Sequence, residues 1–296
     1  MPPLLAVPNV SEGSDGKRLD RLARAFGRGV TLLDSHSDTD HGRSVFTLAG
    51  RAGALTEALL TGAEEVVETI DMRTYSGAHP AIGALDVCPV VWFQPGDREA
   101  ARTEAVAVAE QIAGLGIPVF LYGELARDPG RAERAYFRNG GLAELWLRME
   151  SGELQPDFGP SLPNRTAGAT LVTARPPLAA FNVELDSDDV EVARAVAAGL
   201  REAGGGLPGV RAMGLLLSSG RVQVSTNVHD PLSVSLGEVV ERVQALAAPL
   251  GAGPVEAELV GLVPRAALDR YPAEVPIRGF DPARQTIEAR LAKATD

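Results

Sequence analysis

Apolar residues in the first half of the chain follow two different periods, which predicts strands and helices in alternation. Four short apolar runs are typical of strands, and they occupy residues 4–10, 30–34, 44–49 and 85–93. Between them, residues 19–26 and 55–70 place apolar side chains at the spacing of an amphipathic helix. The first part of the chain therefore has the predicted element order βαββαβ.

Further elements follow before the middle of the chain. The pattern predicts a helix at residues 97–113, a strand at residues 119–122 and a second helix at residues 132–148. Residues 157–168 are rich in proline and glycine and show no periodicity, which is typical of a linker or a functional loop. We place a domain boundary shortly after this loop, which divides the chain into residues 1–176 and 177–296.

The second half repeats the same order of elements. Strands are predicted at residues 178–185, 210–217, 221–228 and 255–262. The two predicted helices occupy residues 188–203 and 236–250. Because βαββαβ is the split pattern of ferredoxin-like units, we predict an α/β (α+β) fold of two ferredoxin-like subdomains, each a sheet with helices packed on it.

Composition narrows the class of protein. Of the 296 residues, 45% are hydrophobic and 23% are charged, as in globular proteins. The formal net charge of -11 argues against a nucleic-acid ligand, although a local basic pocket could still bind a small anion. A single cysteine, Cys88, excludes an intramolecular disulfide framework and fits a reducing compartment. We expect a soluble cytoplasmic protein without a signal peptide or a membrane span.

His79 has the most unusual setting of the four histidines. Pro80 follows it directly and favours an extended backbone, while Gly77 and Gly83 allow sharp turns on either side. Such a loop can present an imidazole to a ligand, and an imidazole can exchange a proton near neutral pH. The alternative interpretation is an exposed loop histidine.

A charged stretch, predicted as a hairpin loop at residues 35–42, offers a second candidate. Its potential ligands for a divalent metal are His36, Asp38, Asp40 and His41. A solvated polar turn is the simpler interpretation, since no recognised metal-binding spacing supports a metal. Arg43 follows the loop and could bind a carboxylate, or it could be an ordinary surface arginine.

Two further features have mainly structural interpretations. Cys88 lies in an apolar strand without a neighbouring histidine or lysine, and we expect it to pack as a small hydrophobic residue. Gln223, Ser225 and Asn227 alternate with apolar residues, so they line one face of a strand. That face either contacts a ligand or faces solvent, and solvent is the default interpretation.

Ordered blocks along almost the whole chain resemble the glutamate formimidoyltransferase (formiminotransferase) family. The blocks include residues 7–13 (VPNVSEG), 40–45 (DHGRSV), 77–89 (GAHPAIGALDVCP), 119–124 (VFLYGE), 156–161 (PDFGPS), 180–183 (AFNV), 223–227 (QVSTN) and 258–264 (ELVGLVP). Because so many blocks occur in the same order, the resemblance is specific. We expect a transferase module without the cyclodeaminase domain that is fused to it in some relatives.

The resemblance implies two α/β subdomains with a ligand cleft between them that binds folate. It implies transfer of a formimidoyl group from N-formimidoyl-L-glutamate to N5 of tetrahydrofolate, within histidine degradation and one-carbon metabolism, without a metal. The general base of the family, the histidine of its HPxxG motif, falls on His79. The folate-contacting loop of the family falls on Gly159, Pro160, Ser161, Leu162, Pro163, Asn164, Arg165, Thr166, Ala167 and Gly168.

The matching blocks and their surroundings also contain candidates for binding the substrates. We expect Arg43, Arg165 or Arg175 to bind carboxylates of folate or glutamate. We expect Asp38 or Asp40 to hold the amidinium group. The remaining substrate-binding candidates are Asn9, Asn182, Ser225 and Asn227. The expected partners are thus small molecules and a second copy of the chain in a homodimer, with no nucleic acid and no membrane.

The active loop departs from the family pattern His-x-Gly-Glu-His-Pro-Arg. Tyr75, Ala78 and Ala81 stand where that pattern has histidine, glutamate and arginine, and Gly42 replaces a common asparagine. Two other functions therefore stay open. The protein could be a related folate enzyme that uses another one-carbon donor, such as 5-formyltetrahydrofolate, or a folate-binding protein without activity.

Overall fold

The computed structural model describes residues 3–295 and divides the chain into two compact units, Met1–Pro176 and Pro177–Asp296. Each unit has its own sheet and its own hydrophobic core. Within residues 3–295, no helix combines the length and the apolar character needed to cross a bilayer.

The first unit combines a seven-stranded sheet with five α-helices among its described residues. The strands are β1 (Leu4–Ala6), β2 (Asn9–Val10), β3 (Thr31–Asp38), β4 (Arg43–Gly50), β5 (Leu85–Val91), β6 (Val119–Leu121) and β7 (Thr170–Arg175). The helices are α1 (Gly16–Phe26), α2 (Ala54–Thr69), α3 (Arg98–Ala113), α4 (Arg134–Arg138) and α5 (Gly141–Glu150).

The sheet of the first unit contains the predicted ferredoxin-like arrangement. β1 and β2 behave as one interrupted strand that pairs antiparallel with β4 on one side and with β5 on the other. β3 lies outside β4. These strands give the spatial order expected for βαββαβ, and the prediction of this fold class is confirmed.

β7 is a strand that the apolar pattern does not predict. It lies between β5 and β6 and runs parallel to both, so it is covered on both edges. Thr170 and Thr173 interrupt its apolar run, but both side chains are buried. Their hydroxyls donate to the carbonyl oxygens of Leu85 and Tyr122 at 2.7 Å, which removes the cost of burying them.

The helix predicted at residues 132–148 is wrong as a single element. It is divided into α4 and α5 because Gly140 and Gly141 adopt φ angles of 75° and 73°. Such angles lie outside the right-handed helical region and are accessible mainly to glycine. The break leaves α4 as a single turn that contains two arginines, Arg134 and Arg138.

The charged hairpin differs from its prediction as well. β3 continues to Asp38, so the first half of the loop predicted at residues 35–42 is strand, and residues 39–42 form the turn. Among the described strands β3 pairs with β4 alone, and polar side chains are tolerated on such an edge strand. Gly42 has a φ of 62°, a conformation that glycine and asparagine tolerate best, which explains why either residue suits this position.

The second unit has a four-stranded antiparallel sheet in the order β11-β8-β10-β9. Its strands are β8 (Ala179–Leu185), β9 (Val210–Leu216), β10 (Val222–Val228) and β11 (Pro254–Val260). Its helices are α6 (Val190–Leu200), α7 (Leu236–Ala247), α8 (Pro282–Gln285) and α9 (Ile287–Thr295). This order is again ferredoxin-like, while the pattern had not predicted α8 and α9.

Candidate active site

A buried ion-pair network joins three elements of the first unit. Arg43 begins β4, Asp86 lies in β5 and Arg138 ends α4. The guanidinium of Arg43 donates to Oδ2 of Asp86 at 2.6 Å, and the guanidinium of Arg138 donates to the same oxygen at 2.5 Å. The other carboxylate oxygen accepts the main-chain N–H of Ile82 at 2.9 Å. One fully buried carboxylate thus fixes two arginines from distant parts of the chain.

The network keeps Asp86 charged. Burial alone would raise the pKa of its carboxyl group. The guanidiniums of Arg138 and Arg43 and the N–H of Ile82 lower this pKa by a larger amount, so the net pKa lies below its ordinary value. Asn9, one of the predicted substrate-binding residues, is also part of the network. Its Oδ1 accepts Nε and Nη2 of Arg43 at 3.0 and 2.8 Å, so Asn9 orients that guanidinium.

His79 is in direct contact with this network. Nη1 of Arg43 lies 3.1 Å from Nδ1 of the imidazole. Because a guanidinium can only donate, we assign Nδ1 as the acceptor and place the ring proton on Nε2. Burial lowers the pKa of His79 well below 6.5, and the charges of Arg43, Arg138 and Arg134 lower it further. The imidazole is therefore neutral at neutral pH.

The loop at residues 75–83, named the histidine loop here, is attached to the β3–β4 turn. The N–H groups of Ala78 and His79 donate to the carbonyl oxygens of Asp40 and His41 at 3.1 and 3.3 Å. The Tyr75 hydroxyl lies 2.8 Å from the carbonyl oxygen of His79 and 3.1 Å from that of His41. Tyr75 therefore fixes the histidine loop through main-chain atoms, and burial raises the pKa of its hydroxyl to about 12.

Gly77 makes this close attachment sterically feasible. A Cβ atom at Gly77 would come within 2.5 Å of the His41 carbonyl oxygen. A Cβ atom at Gly42 would meet the Cα of Gly77 at 2.7 Å. The two glycines therefore allow the turn and the loop to approach each other more closely than any side chain would permit.

The other polar residues of the β3–β4 turn have separate roles. Asp38 accepts the main-chain N–H of His41 at 2.8 Å, and its other oxygen lies 2.8 Å from Nδ1 of that imidazole. Burial raises the pKa of Asp38, but the contacts with His41 lower it more, so the net pKa is below the ordinary value. Within the described chain, the side chain of Asp40 makes no hydrogen bond or ion pair, and it stays available to a ligand.

No three His, Cys, Asp or Glu side chains in residues 3–295 are grouped closely enough to hold a metal ion. The four residues that suggested a metal in the sequence are spread along β3 and its turn. Cys88 is fully buried in β5, and burial raises the pKa of its thiol to about 12. The prediction that Cys88 packs as a hydrophobic residue is confirmed.

The predicted folate loop, residues 159–168, lies beside the histidine loop. The carbonyl oxygen of Ala167 accepts the N–H of Ala84, and Ala169 N–H donates to the carbonyl oxygen of Ile82, both at 2.8 Å. Asn164 organises this end of the loop, because its Oδ1 accepts the N–H groups of Thr166 and Ala167. The loop thus fixes the chain just after His79.

Arg165 and Leu162 lie on the outer part of the same loop. Arg165 pairs with Glu150 at 2.5 Å and packs over the Trp146 ring, with 4.6 Å from the guanidinium to the ring centroid. Its charge is therefore already balanced. Leu162 is 68% exposed, which is unusual for a large apolar side chain.

Two arginines near this site have no carboxylate partner within the described residues. Arg175, a predicted substrate-binding residue, lies at the end of β7, and its guanidinium donates to the Pro176 carbonyl oxygen at 2.9 Å. Arg134 begins α4 and was not predicted from the sequence. Arg134 and Arg138 are four residues apart and share one face of a helix, and the helix predicted at residues 132–148 already contained this signal.

The remaining predicted site residues belong to the second unit. Asn182 on β8 is paired in register with Ser225 on β10, and its Nδ2 donates to Glu258 at 3.0 Å. Asn227 lies two positions further along β10. Gln223 on the same face is only 1% exposed, so the default interpretation of a solvent-facing strand surface is wrong for that residue.

Comparisons with known proteins identify the family. The family model of the formiminotransferase domain, N-terminal subdomain, matches residues 4–175, and that of the formiminotransferase domain matches residues 180–272. A glutamate formimidoyltransferase of Streptococcus pyogenes serotype M1 is 35% identical over 294 residues, which cover 96% of this chain and 97% of that protein. One of Thermoplasma acidophilum is 35% identical over 300 residues, which cover 98% and 97%.

A longer relative matches along part of its length. The formimidoyltransferase-cyclodeaminase of Sus scrofa is 38% identical over 272 residues, which cover 88% of this chain and 50% of that protein. The resemblance seen in the sequence blocks is thus confirmed. Since both family models match and together reach from residue 4 to residue 272, the chain belongs to the formiminotransferase domain family.

Proposed function

We propose that this protein is a glutamate formimidoyltransferase, which transfers the formimidoyl group of N-formimidoyl-L-glutamate to N5 of tetrahydrofolate. The observation that carries the proposal is the neutral imidazole of His79, held 3.1 Å from Arg43 in a cluster of arginines. A neutral imidazole can accept a proton, and guanidiniums bind carboxylates. Two relatives that carry this name match nearly the whole chain.

The reaction moves one proton between two nitrogen atoms. As N5 forms its bond to the formimidoyl carbon, it releases a proton, and His79 accepts it. The bond between that carbon and the glutamate nitrogen then breaks, and His79 returns the proton to the departing nitrogen. The amidinium carbon is already electrophilic, so proton transfer and positioning are the main contributions required of the protein.

Arg43 controls when His79 can act as a base. In the structure, Arg43 occupies the lone pair of Nδ1, while Nε2 carries the ring proton. A carboxylate of the donor competes for this guanidinium, because it brings a negative charge and can accept two parallel N–H bonds, whereas the neutral imidazole accepts one. We propose that substrate binding releases Nδ1 in this way, so that the base becomes available only when the donor is present.

The other site residues support the two substrates. Asp40 is the residue that we propose to hold the amidinium, since its carboxylate has no partner within the described chain and its main chain contacts the histidine loop. Residues 159–168 are proposed to contact tetrahydrofolate, which is a co-substrate, because this loop borders the residues that follow His79. Asn182, Ser225 and Asn227 remain candidates for binding substrate.

The cellular setting is proposed on chemical grounds. We assign residues 1–176 and 177–296 to the two subdomains of the formiminotransferase module. The only cysteine is a buried thiol, which suits the reducing cytoplasm. The ligands are small molecules, and a homodimer is the proposed assembly.

The proposal is tested by mixing the purified protein with both substrates and measuring formation of 5-formimidoyltetrahydrofolate. We expect turnover in the wild type and a loss of kcat of about 10²- to 10⁴-fold in His79→Ala, because proton transfer is lost. His229→Ala, which changes a histidine of the second unit, serves as the matched control and should retain activity. Full turnover by His79→Ala would contradict the assigned base.

A second arm of the same experiment replaces the donor with 5-formyltetrahydrofolate. Formation of product only from this donor would assign the protein to the related folate enzyme. Binding of tetrahydrofolate without turnover of either donor would indicate a protein that kept the binding site and lost the chemistry.

A further inference from the structure

The surroundings of His79 contain more positive than negative charge. The guanidiniums of Arg43, Arg134 and Arg138 are all close enough to lower the pKa of the His79 ring. Within the described residues, Asp86 is the carboxylate paired with this group, and it contacts only Arg43 and Arg138. One negative charge therefore faces three guanidiniums, and Arg134 is the one left without a partner.

Arg134 is half-buried and makes no ion pair and no side-chain hydrogen bond with the part of the chain that the structure describes. Burial lowers the pKa of its guanidinium, and the positive charges of Arg138 and Arg43 also lower that pKa. A neighbouring arginine, Arg175, is in a similar situation. Burial lowers the pKa of Arg175 to about 10, with a contribution from Arg134, and its guanidinium donates to a main-chain carbonyl and to no carboxylate within residues 3–295.

Two partly buried guanidiniums without carboxylates are unfavourable for the folded protein by themselves. A bound anion would remove this cost, and a carboxylate fits the planar fork of a guanidinium with two parallel hydrogen bonds. The short helix α4 supports this role, because its two arginines share one face and Asp86 already holds Arg138 in place. Arg134 therefore lies one helical turn before Arg138, and Asp86 joins Arg138 to Arg43, which contacts His79.

We propose that Arg134, assisted by Arg175, binds a carboxylate of the glutamyl part of the formimidoyl donor and so determines which donor the protein accepts. This inference rests on the proposed function. The donor suits the position, because its α-carboxylate is attached to the carbon that bears the reacting nitrogen. The carboxylates of a folate are separated from N5 by the aminobenzoyl group, which is too far for a guanidinium beside the base.

The test uses the full-length protein, L-glutamate as the probe and three versions of the chain. These are the wild type, Arg134→Gln and Arg194→Gln, in which an exposed arginine of α6 is changed as the matched control. L-glutamate should raise the thermal unfolding midpoint of the wild type and of Arg194→Gln, but not of Arg134→Gln. A failure of L-glutamate to stabilise the wild type, or equal stabilisation of all three, would overturn the proposal.

Steady-state kinetics provide the second measurement. Arg134→Gln should raise KM for N-formimidoyl-L-glutamate by about 10- to 100-fold, the effect of losing a charged hydrogen-bond pair, and leave KM for tetrahydrofolate unchanged. Arg134→Lys should restore part of the loss, since it keeps the charge without the fork. A rise in KM for tetrahydrofolate in place of the donor would contradict the assignment.

The unfolding temperature measured without ligand distinguishes a structural role of Arg134 from a role in binding. Because Arg134 makes no hydrogen bond or ion pair with the described residues that the substitution would remove, Arg134→Gln should unfold at the same or a higher temperature than the wild type. A clear decrease would show that the side chain supports the fold instead. If the wild type fails to transfer a formimidoyl group but L-glutamate binding still depends on Arg134, the proposed function is wrong while the carboxylate site stands.

Discussion

The two units share a ferredoxin-like topology, but each places a similar ion pair in a different environment. In the first unit, Arg43 and Asp86 are paired at 2.6 Å, with 9% and 0% of their side chains exposed. In the second unit, Arg221 pairs with Glu184 at 3.1 Å, and the arginine is 48% exposed. Arg43 begins β4 and Arg221 directly precedes β10, each the second strand of a hairpin.

The difference shows that topology alone does not create a reactive site. In the second unit, water screens the charge of Arg221, and Arg278 also pairs with Glu184. In the first unit, the histidine loop and α4 cover the pair, so each charge acts strongly on its neighbours. The covering segments therefore turn an ordinary hairpin arginine into a group that can control the protonation of an imidazole.

The largest expected effect is a difference between the two ion pairs in their contribution to the free energy of unfolding. Asp86→Asn leaves the charges of Arg43 and Arg138 without a buried counter-ion, and we expect the free energy of unfolding to fall by about 3–5 kcal/mol. Arg221→Gln in the second unit should change it by no more than about 1 kcal/mol. Urea unfolding of both variants measures the contrast. Equal effects would show that the two environments do not differ as the structure indicates.

A second prediction concerns pH. Because burial and the neighbouring guanidiniums lower the pKa of His79, turnover should stay constant as the pH falls through about 6.5 and decrease only at lower pH. Arg43→Gln removes one of these charges, so the pKa of the ring should rise, which NMR titration of His79 can follow. An unchanged pKa in that variant would contradict the assigned contact.

The same pKa shift has a consequence for folding. In the folded protein His79 binds a proton less readily than in the unfolded chain, so the unfolded chain takes up more protons between the lowered pKa and about 6.5. The free energy of unfolding should therefore decrease as the pH falls below about 6.5. Urea unfolding of His79→Gln over the same pH range should lack this component.

The smallest expected effect concerns the attachment of the histidine loop. Tyr75→Phe removes the hydroxyl that contacts the carbonyl oxygens of His79 and His41, and we expect a loss of stability of about 1 kcal/mol. The larger consequence should be a fall in kcat, because the imidazole is less well positioned. Unchanged kcat would show that the main-chain hydrogen bonds of Ala78 and His79 suffice to hold the loop.

Much of the fold could be predicted from the sequence because it depends on local periodicity. The apolar alternation that predicted a strand at residues 221–228 corresponds to β10, where Val222, Val224 and Val228 are buried. The additional strand β7 depends on longer-range contacts. β7 is stable because β5 and β6 pair with it on both sides, which no local pattern reveals.

For the site, the sequence by itself identified the residue types and the family. The order of His79, Pro80 and the surrounding glycines indicated a loop that could present an imidazole, and Arg43 was recognised as a group that could bind a carboxylate. These inferences depend on covalent order and on intrinsic chemistry, which the chain carries wherever it folds.

Only the tertiary structure decided the protonation state and the charge balance. Arg43 and His79 are 36 residues apart, and Arg138 and Asp86 are 52 apart, so their contacts depend on how the sheet brings β4, β5 and α4 together. The lowered pKa of His79 arises from burial and from charges on other elements, which no local sequence pattern encodes. The free guanidinium of Arg134 became evident for the same reason, because a missing partner can be recognised only after the neighbours are known.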